Sequence, residues 1–417
     1  MKAKPIPTSP KNRANDEKEA EVEAFLKEPQ PITKPNITRF SSSFLILTVI
    51  ISFLAGLVGA MFFMFGKEQW QWLGKWIGNT NQEISVIKSV PKKESSITNY
   101  AEVVDKLSPN VVSIYVRQVP VKKNAALLDQ LYLPGDRRGI GTLLTEDGIG
   151  VTTRKAIPDL SKEIAIITSD KTVYLTKVFY PDPASDIVLF KISGKGFPAL
   201  DFADASALIV PQTVLDISRQ TTTQSINVAL TGLISLRMKR VNTRADLIES
   251  SEKLNNFFQT QNTVEIPGVS TFSLAGKIIG IHTGTDGEVI PGNIISNALD
   301  SFNKTGAVTR NVLGVKYLDL QVAKGLLLSP ANIGDIGALL VSEDTANIPA
   351  VGAKSPAGRA GLKSGDIIKK INDQQINGSL SVAEIIQAQS ARATITIQFS
   401  RNGKEESLPV TLDVTAK

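Results

Sequence analysis

Residues 139–157 read GIGTLLTEDGIGVTTRKAI, with short apolar runs on both sides of an Asp-Gly turn. Comparable runs rich in Val, Ile and Leu occur elsewhere: VVSIYV at 111–116, EIAIIT at 163–168, DIVLFKI at 186–192, NVALTGLISL at 227–236 and KIIGIH at 277–282. Turn residues separate these runs, and helical periodicity is scarce between them. This pattern predicts antiparallel β-barrels.

The sequence pattern changes near residue 310, where a second and smaller unit begins. Its segments are LGVKYL at 313–318, SPAGRAGLKSGDIIKKIND at 355–373, SVAEIIQAQ at 381–389, ATITIQFSR at 393–401 and ESLPVTL at 406–412. Strand-like runs surround one helical stretch, SVAEIIQAQ, so this unit is predicted to mix strands with helices.

Composition excludes several kinds of site. The 417 residues include no cysteine and one histidine, His282. Disulfides, thiolate catalysis and cysteine-ligated zinc are therefore excluded, and we expect no metal site and no cofactor. The net charge of +6 is spread along the chain without a basic stripe interleaved with aromatic residues, so we expect no nucleic-acid binding.

The amino-terminal region predicts a membrane anchor. Residues 1–40 are rich in Pro, Lys and Glu, which predicts a disordered cytoplasmic tail. Residues 44–65 carry no charge, which predicts a transmembrane helix over 44–66. Trp70, Trp72 and Trp76 follow at once, as in an interfacial segment, so we assign 67–97 to that segment and a linker. We expect a single-pass plasma-membrane protein whose amino terminus is cytoplasmic and whose bulk is extracytoplasmic.

Six segments, in this order, resemble one family. They are AEVVDKLSPNVVSIYV (101–116), the G-x-G segment at 139–152, DPASDIVLFKI (182–192), TGLIS (231–235), the stretch 258–284 and SPAGRAGLKSGDIIKKIND (355–373). The chain resembles the HtrA/Deg family. This implies a mostly β fold: a chymotrypsin-like double β-barrel, here over 98–300, followed by an α+β PDZ domain over 308–414. The resemblance also implies a homotrimer.

The family's Ser-His-Asp triad is incomplete in this sequence. Lys155 stands where the resemblance places the catalytic histidine, and Asp186 matches the aspartate. A lysine ammonium is normally charged near neutral pH and cannot accept a proton as the histidine does. We therefore expect Lys155 and Asp186 to form an ion pair. His282 matches no triad position and is expected at the surface, at a strand end.

The nucleophile position is ambiguous, because the GNSGG motif is not retained. Alignment without gaps on Gly276 places it at Pro267, and alignment on Gln259 and Thr260 places it at Val269. Only a gapped alignment gives Ser270. Pro267 lacks both a hydroxyl and the N–H that an oxyanion hole needs, and Val269 lacks the hydroxyl.

The resemblance also suggests a peptide groove in the second unit. Leu313-Gly314-Val315 resembles the loop whose backbone N–H groups hold a peptide carboxylate. Val382 and Ile386 lie four apart on the helical stretch, either lining the groove or packing in the core. The expected partners are peptide C-termini or unfolded polypeptide.

Three functions remain open from the sequence. The first is a membrane-anchored pseudoprotease in protein quality control, a scaffold that binds peptides through its PDZ domain. The second is an active envelope serine endopeptidase with an atypical Ser-Lys centre of Ser270 and Lys155. That centre needs a neutral lysine, whereas Asp186 would favour the charged form. The third is a regulatory or assembly subunit of an active homologue.

Overall fold

A computed structural model describes residues 100–116, 124, 126–220, 223–327, 334, 336–342 and 347–415. Within those ranges no helix is both long and apolar enough to cross a membrane. The predicted tail (1–40), transmembrane helix (44–66) and linker (67–97) lie outside the described residues, so they stay predictions.

The first β unit is a seven-stranded antiparallel sheet that follows helix α1 (Tyr100–Leu107). In space its strands run in the order β5-β4-β1-β2-β3-β7-β6. The apolar runs of the sequence become its most buried strands, because both faces of those strands are covered. The strands are β1 (Val111–Val116), β2 (Arg137–Leu143), β3 (Ile149–Thr153), β4 (Ile164–Ile167), β5 (Val173–Thr176), β6 (Phe179–Pro181) and β7 (Ile187–Lys191).

The second β unit is a closed barrel in the order β11-β14-β13-β12-β8-β9. Its strands are β8 (Gln212–Arg219), β9 (Ile226–Met238), β11 (Phe257–Thr260), β12 (Ser270–Phe272), β13 (Ile278–His282) and β14 (Glu288–Pro291). Helix α2 (Gly292–Thr305) follows and ends at Gly306, whose left-handed φ of 73° suits glycine. One hydrophobic core joins the two units, since Val111 and Ile140 of the first pack with Ile217 and Phe272 of the second.

The third unit is a sheet in the order β10-β16-β17-β18-β20-β21, with β19 paired to β18. Its elements are β10 (Ile248–Ser250), β16 (Lys316–Asp319), α3 (Leu320–Leu326), β17 (Ala338–Leu340), α4 (Pro356–Ala360), β18 (Ile367–Ile371), β19 (Gln374–Gln375), α5 (Val382–Gln387), β20 (Thr394–Arg401) and β21 (Lys404–Thr411). A separate two-stranded ladder joins β15 (Asn311–Val312) to β22 (Asp413–Val414).

Local sequence fixes the ends of the short helices in this unit. Ser355 is the N-cap of helix α4, and its hydroxyl accepts the N–H of Gly358. Gly361 is the C-cap, with a left-handed φ of 98°. Helix α5 starts with a capping box in which Ser381 and Glu384 each accept the other's backbone N–H. These caps explain why SPAGRAGL and SVAEIIQ form one turn or two of helix at these positions.

Two features differ from expectation. His282 is fully buried rather than at the surface, because β13 is an inner strand of the closed barrel between β12 and β14. Strand β10 belongs to the third unit's sheet, although its residues lie between β9 and β11 of the barrel. The chain therefore leaves the barrel to add an edge strand to the neighbouring unit.

Candidate functional site

Lys155 lies in the turn after β3, where the chain leaves the first sheet. Its Nζ donates to the carbonyl oxygen of Gly284 at 2.7 Å. Asp186 is brought close through the backbone, since its carbonyl accepts the N–H of Arg154 at 2.6 Å. The expected Lys155–Asp186 ion pair is not formed, because the ammonium group is directed to Gly284 and both side chains are exposed.

A cavity of about 320 Å³ opens at this place, and Lys155, Asp186, Arg154, Arg240 and Thr283 line it. Arg240 is fixed by the buried carboxylate of Glu288, with Nε donating to Oε1 at 3.0 Å. That hydrogen bond raises the pKa of Arg240, and the negative charge of Asp186 adds to the effect. The cavity thus contains cations, one carboxylate and hydroxyls, but no imidazole.

Pro267 is the nucleophile candidate that lies beside Lys155. A Cβ built on Gly284, the acceptor of the Lys155 ammonium, would lie 2.9 Å from the Pro267 nitrogen. On the other side, a Cβ on Gly139 would lie 2.6 Å from Cβ of Ala156 and 2.8 Å from the Pro267 carbonyl oxygen. That carbonyl accepts the N–H of Ile140 at 2.9 Å. Pro267 thus lies next to Gly284, the residue to which Lys155 donates, and is hydrogen-bonded to β2.

The residues after Pro267 already belong to the barrel ladder. Gly268 donates its N–H to the carbonyl of His282 at 2.8 Å, and His282 donates to Val269 at 2.7 Å. Gly268 has a left-handed φ of 85°, and a Cβ there would overlap the carbonyl oxygen of Ile140. Only glycine therefore fits directly after Pro267.

Val269 and Ser270 face the protein interior. The Val269 side chain is 3% exposed and packs in the core shared by the two β units. Ser270 is fully buried in β12, and its hydroxyl is hydrogen-bonded to that of Thr142. The structure thus brings Pro267, but neither Val269 nor Ser270, to the Lys155 turn.

His282 lies in a separate buried polar cluster inside the second barrel. Its Nε2 is 3.0 Å from Oδ1 of Asp216, and neither ring nitrogen forms a hydrogen bond within the described residues. Asp216 instead accepts from the Thr271 hydroxyl at 2.7 Å and from Asn262 at 3.1 Å. The cluster is closed to solvent, because His282, Asp216 and Thr271 are each 3% exposed or less.

The predicted carboxylate loop of the third unit already holds a carboxylate. The N–H groups of Leu313 and Gly314 donate to Oε1 of Glu252 at 3.0 and 2.7 Å. Val315 donates to the hydroxyl of Ser251 at 3.0 Å. Sequence reasoning missed both acceptors, since a Ser-Glu pair in a connecting segment carries no local signal for such a role.

The two groove residues predicted on helix α5 are fully buried. Val382 and Ile386 pack in the hydrophobic core of the third unit with Leu313 and Val315. Ala383, between them, packs instead in the core of the β-barrel units, with Leu254 among its members. Peptide binding by Val382 and Ile386 therefore stays a prediction.

Comparisons with known proteins agree with this architecture. The family model for the PDZ domain matches residues 334–412. A probable periplasmic serine endoprotease, DegP-like, from Bartonella henselae is 26% identical over 413 residues, covering 87% of this chain and 75% of its own. The serine protease Do-like HtrA of Lactococcus lactis subsp. cremoris is 25% identical, covering 86% of this chain and 94% of its own.

Solved structures show the same fold. The HtrA-type protease AlgW with decapeptide has a TM-score of 0.56 at 20% identity, covering 76% of this chain and 99% of its own. The prediction of a mostly β, trypsin-like fold with a PDZ domain is thereby confirmed. Its relatives, its strand order and its PDZ match show that the chain is homologous to the HtrA/DegP serine proteases and carries a PDZ domain.

Proposed function

We propose that this chain is a pseudoprotease of the HtrA type, anchored in the membrane, that holds polypeptides rather than cleaving them. The observation that carries the proposal is Pro267 beside the Lys155 turn. Proline supplies neither a nucleophilic hydroxyl nor an N–H for an oxyanion hole. Lys155 donates to a carbonyl and supplies no proton acceptor in place of the histidine.

The geometry argues against the Ser-Lys alternative. A dyad needs the serine hydroxyl within hydrogen-bond reach of the lysine nitrogen. The Ser270 hydroxyl is bonded to Thr142 inside the protein, while the Lys155 ammonium is bonded to Gly284. Substrate would also have to reach a serine that has no exposed surface.

Binding is assigned to the PDZ domain. Its loop at Leu313 and Gly314 presents backbone N–H groups that already donate to a carboxylate, that of Glu252, in this structure. The AlgW structures carry a decapeptide or a tripeptide, which supports peptide binding by this chain. The proposed ligands are peptide C-termini or unfolded polypeptide.

The membrane anchor at 44–66, the extracytoplasmic location and the homotrimer are part of the same proposal. The relative from Bartonella henselae is named a probable periplasmic serine endoprotease, which supports an extracytoplasmic site of action. Membrane fractionation of the full chain and of a form lacking 44–66 tests the anchor, because only the full chain should sediment with membranes. Light scattering in detergent tests the trimer.

The proposed function is tested with the purified full chain and unfolded β-casein. We expect casein to be retained by the immobilised protein and to stay intact after prolonged incubation. Cleavage that is lost in Ser270→Ala would instead establish the active Ser-Lys alternative. A chain that neither retains nor cleaves casein would leave the regulatory-subunit hypothesis, which co-purification with an active homologue would then test.

A further inference from the structure

Strand β10 occupies the β16 edge of the PDZ sheet, next to the loop at 313–315 that the sequence predicts to hold a peptide carboxylate. It pairs antiparallel with β16, with Ile248 opposite Leu318, Glu249 opposite Tyr317 and Ser250 opposite Lys316. The ladder continues past the strand, because Ser251 donates its N–H to the carbonyl of Val315 at 3.1 Å. Addition of an extended segment to a sheet edge is how PDZ domains hold their ligands.

The segment ends in a carboxylate at the place where a peptide would end. Oε1 of Glu252 accepts the N–H groups of both Leu313 and Gly314, and the Ser251 hydroxyl accepts that of Val315. Three successive N–H donors of the loop are therefore satisfied by two side chains. Gly314 has φ of 83°, and a Cβ there would overlap Ser355, so the loop depends on glycine at this position.

A second acidic side chain, that of Glu249, fixes the register three residues before Glu252. Oε2 of Glu249 accepts the phenol of Tyr317 at 2.8 Å, and Lys239 forms an ion pair with the same carboxylate. Tyr317 belongs to the PDZ unit and is 1% exposed. Lys239 follows β9 of the barrel, so it holds the strand from outside the PDZ unit.

We propose that the segment Ile248–Glu252 is an internal ligand of the PDZ groove, and that external carboxyl-terminal peptides of matching chemistry compete with it. Such peptides end in a small residue with a free carboxylate and carry an acidic residue two positions before the last. The last residue takes the place of Ser251, its carboxylate replaces that of Glu252, and the acidic residue meets Tyr317. This inference rests on the proposed peptide-binding function.

Occupation of the groove by the chain's own segment lowers the apparent affinity for external peptides, because only the fraction of molecules with an open groove can bind them. Weakening the internal strand should therefore tighten external binding. Loss of one charge-assisted hydrogen bond of this kind changes the equilibrium constant between the occupied and the open groove by about tenfold or more.

The test uses the full chain in detergent and a fluorescein-labelled peptide, Arg-Ala-Asp-Leu-Ile-Glu-Ser-Ser, that copies residues 244–251 and ends in a free carboxylate. Fluorescence anisotropy should show weak binding to the wild type and about tenfold tighter binding to Glu252→Gln. Lys239→Ala loosens the strand without touching the groove and should shift affinity in the same direction. Glu405→Gln, which changes an exposed carboxyl on β21, is the matched control and should match the wild type.

The outcomes distinguish failure of this inference from failure of the proposed peptide-binding function on which it rests. Equal affinity in the wild type, Glu252→Gln and Lys239→Ala would overturn the internal ligand while leaving peptide binding intact. Failure of all variants to bind the free-carboxylate peptide, with unchanged melting temperatures, would overturn the proposed function as well. Tight binding of the same peptide with an amidated end would overturn the assigned carboxylate contact.

Discussion

Arg310 and Asp182 form a buried bidentate ion pair that ties the start of the PDZ unit to the loop before Asp186. Nε and Nη2 of Arg310 donate to the two carboxylate oxygens of Asp182 at 2.9 and 2.7 Å. The residues are only 5% and 6% exposed. The guanidinium also donates to the carbonyl of Ile294 in helix α2, so one side chain joins three parts of the molecule.

Removal of the arginine should destabilise the protein strongly. Arg310→Met leaves Asp182 buried without its partner, which costs about 3–5 kcal/mol in free energy of unfolding. The double variant Arg310→Met/Asp182→Leu should recover much of that loss, because no unpaired charge remains. Urea unfolding followed by circular dichroism measures both. Arg359→Met, which breaks an exposed pair with Asp413, is the control, and an equal shift in both single variants would refute the structural role.

Gly268 should tolerate no side chain. Gly268→Ala combines a left-handed φ with overlap of the Ile140 carbonyl, so we expect a loss of more than about 1 kcal/mol in unfolding free energy. Gly306→Ala is the matched control, since Gly306 has φ of 73° but open space around it. Thermal unfolding should show a larger decrease in melting temperature for Gly268→Ala. A smaller decrease would mean that the loop after Pro267 is looser than described.

Tyr317 should make stability fall at alkaline pH. Burial, and then the neighbouring Glu249 carboxylate, raise the pKa of this phenol well above its ordinary value. The unfolded chain loses the proton near pH 10, whereas the folded protein retains it, so unfolding releases protons above that pH. The contribution of Tyr317 to the free energy of unfolding is full below about pH 10 and decreases above it, by up to about 1.4 kcal/mol per pH unit.

Tyr317→Phe removes this ionisable group and should flatten the alkaline part of the stability profile. Urea unfolding at pH 9, 10 and 11 gives the comparison. Tyr100→Phe, which removes an exposed phenol, should keep the wild-type slope. Identical slopes for wild type and Tyr317→Phe would contradict the burial of a neutral phenol beside Glu249.

Lys155 should be dispensable for both stability and peptide binding. The side chain is exposed and its one hydrogen bond goes to a backbone carbonyl, so Lys155→Met should shift the unfolding midpoint little. Lys155→His alone should not create turnover of casein, because Pro267 still provides no nucleophile. Appearance of cleavage in Lys155→His would show that a functional serine is present after all.

Sequence reasoning succeeded where local pattern and tertiary structure agree. The runs at 111–116, 163–168, 186–192 and 277–282 became strands because each is apolar, bounded by turn residues and buried on both faces. The motif SPAGRAGL predicted a short capped helix because its serine, proline and glycine act within one turn. The fold class followed from these elements and from their order.

Sequence reasoning failed where the deciding partner lies far along the chain. Residues 248–250 are too short and polar to predict a strand, and only pairing with β16 makes them one. The position of His282 at the end of an apolar run predicts a surface site, but the flanking strands of a closed barrel bury it. The sequence predicts an ion pair between Lys155 and Asp186, because nothing local indicates that Gly284, 129 residues further along, presents its carbonyl to the lysine.

A fluorophosphonate probe shows most directly whether this chain has a working nucleophile. The full chain is incubated with the probe and its intact mass is measured, beside an active HtrA-type serine protease as a positive control. We expect the active protease to gain one phosphonate adduct and this chain to keep its unmodified mass. A stoichiometric adduct that maps to Ser270, and that disappears in Ser270→Ala, would contradict it.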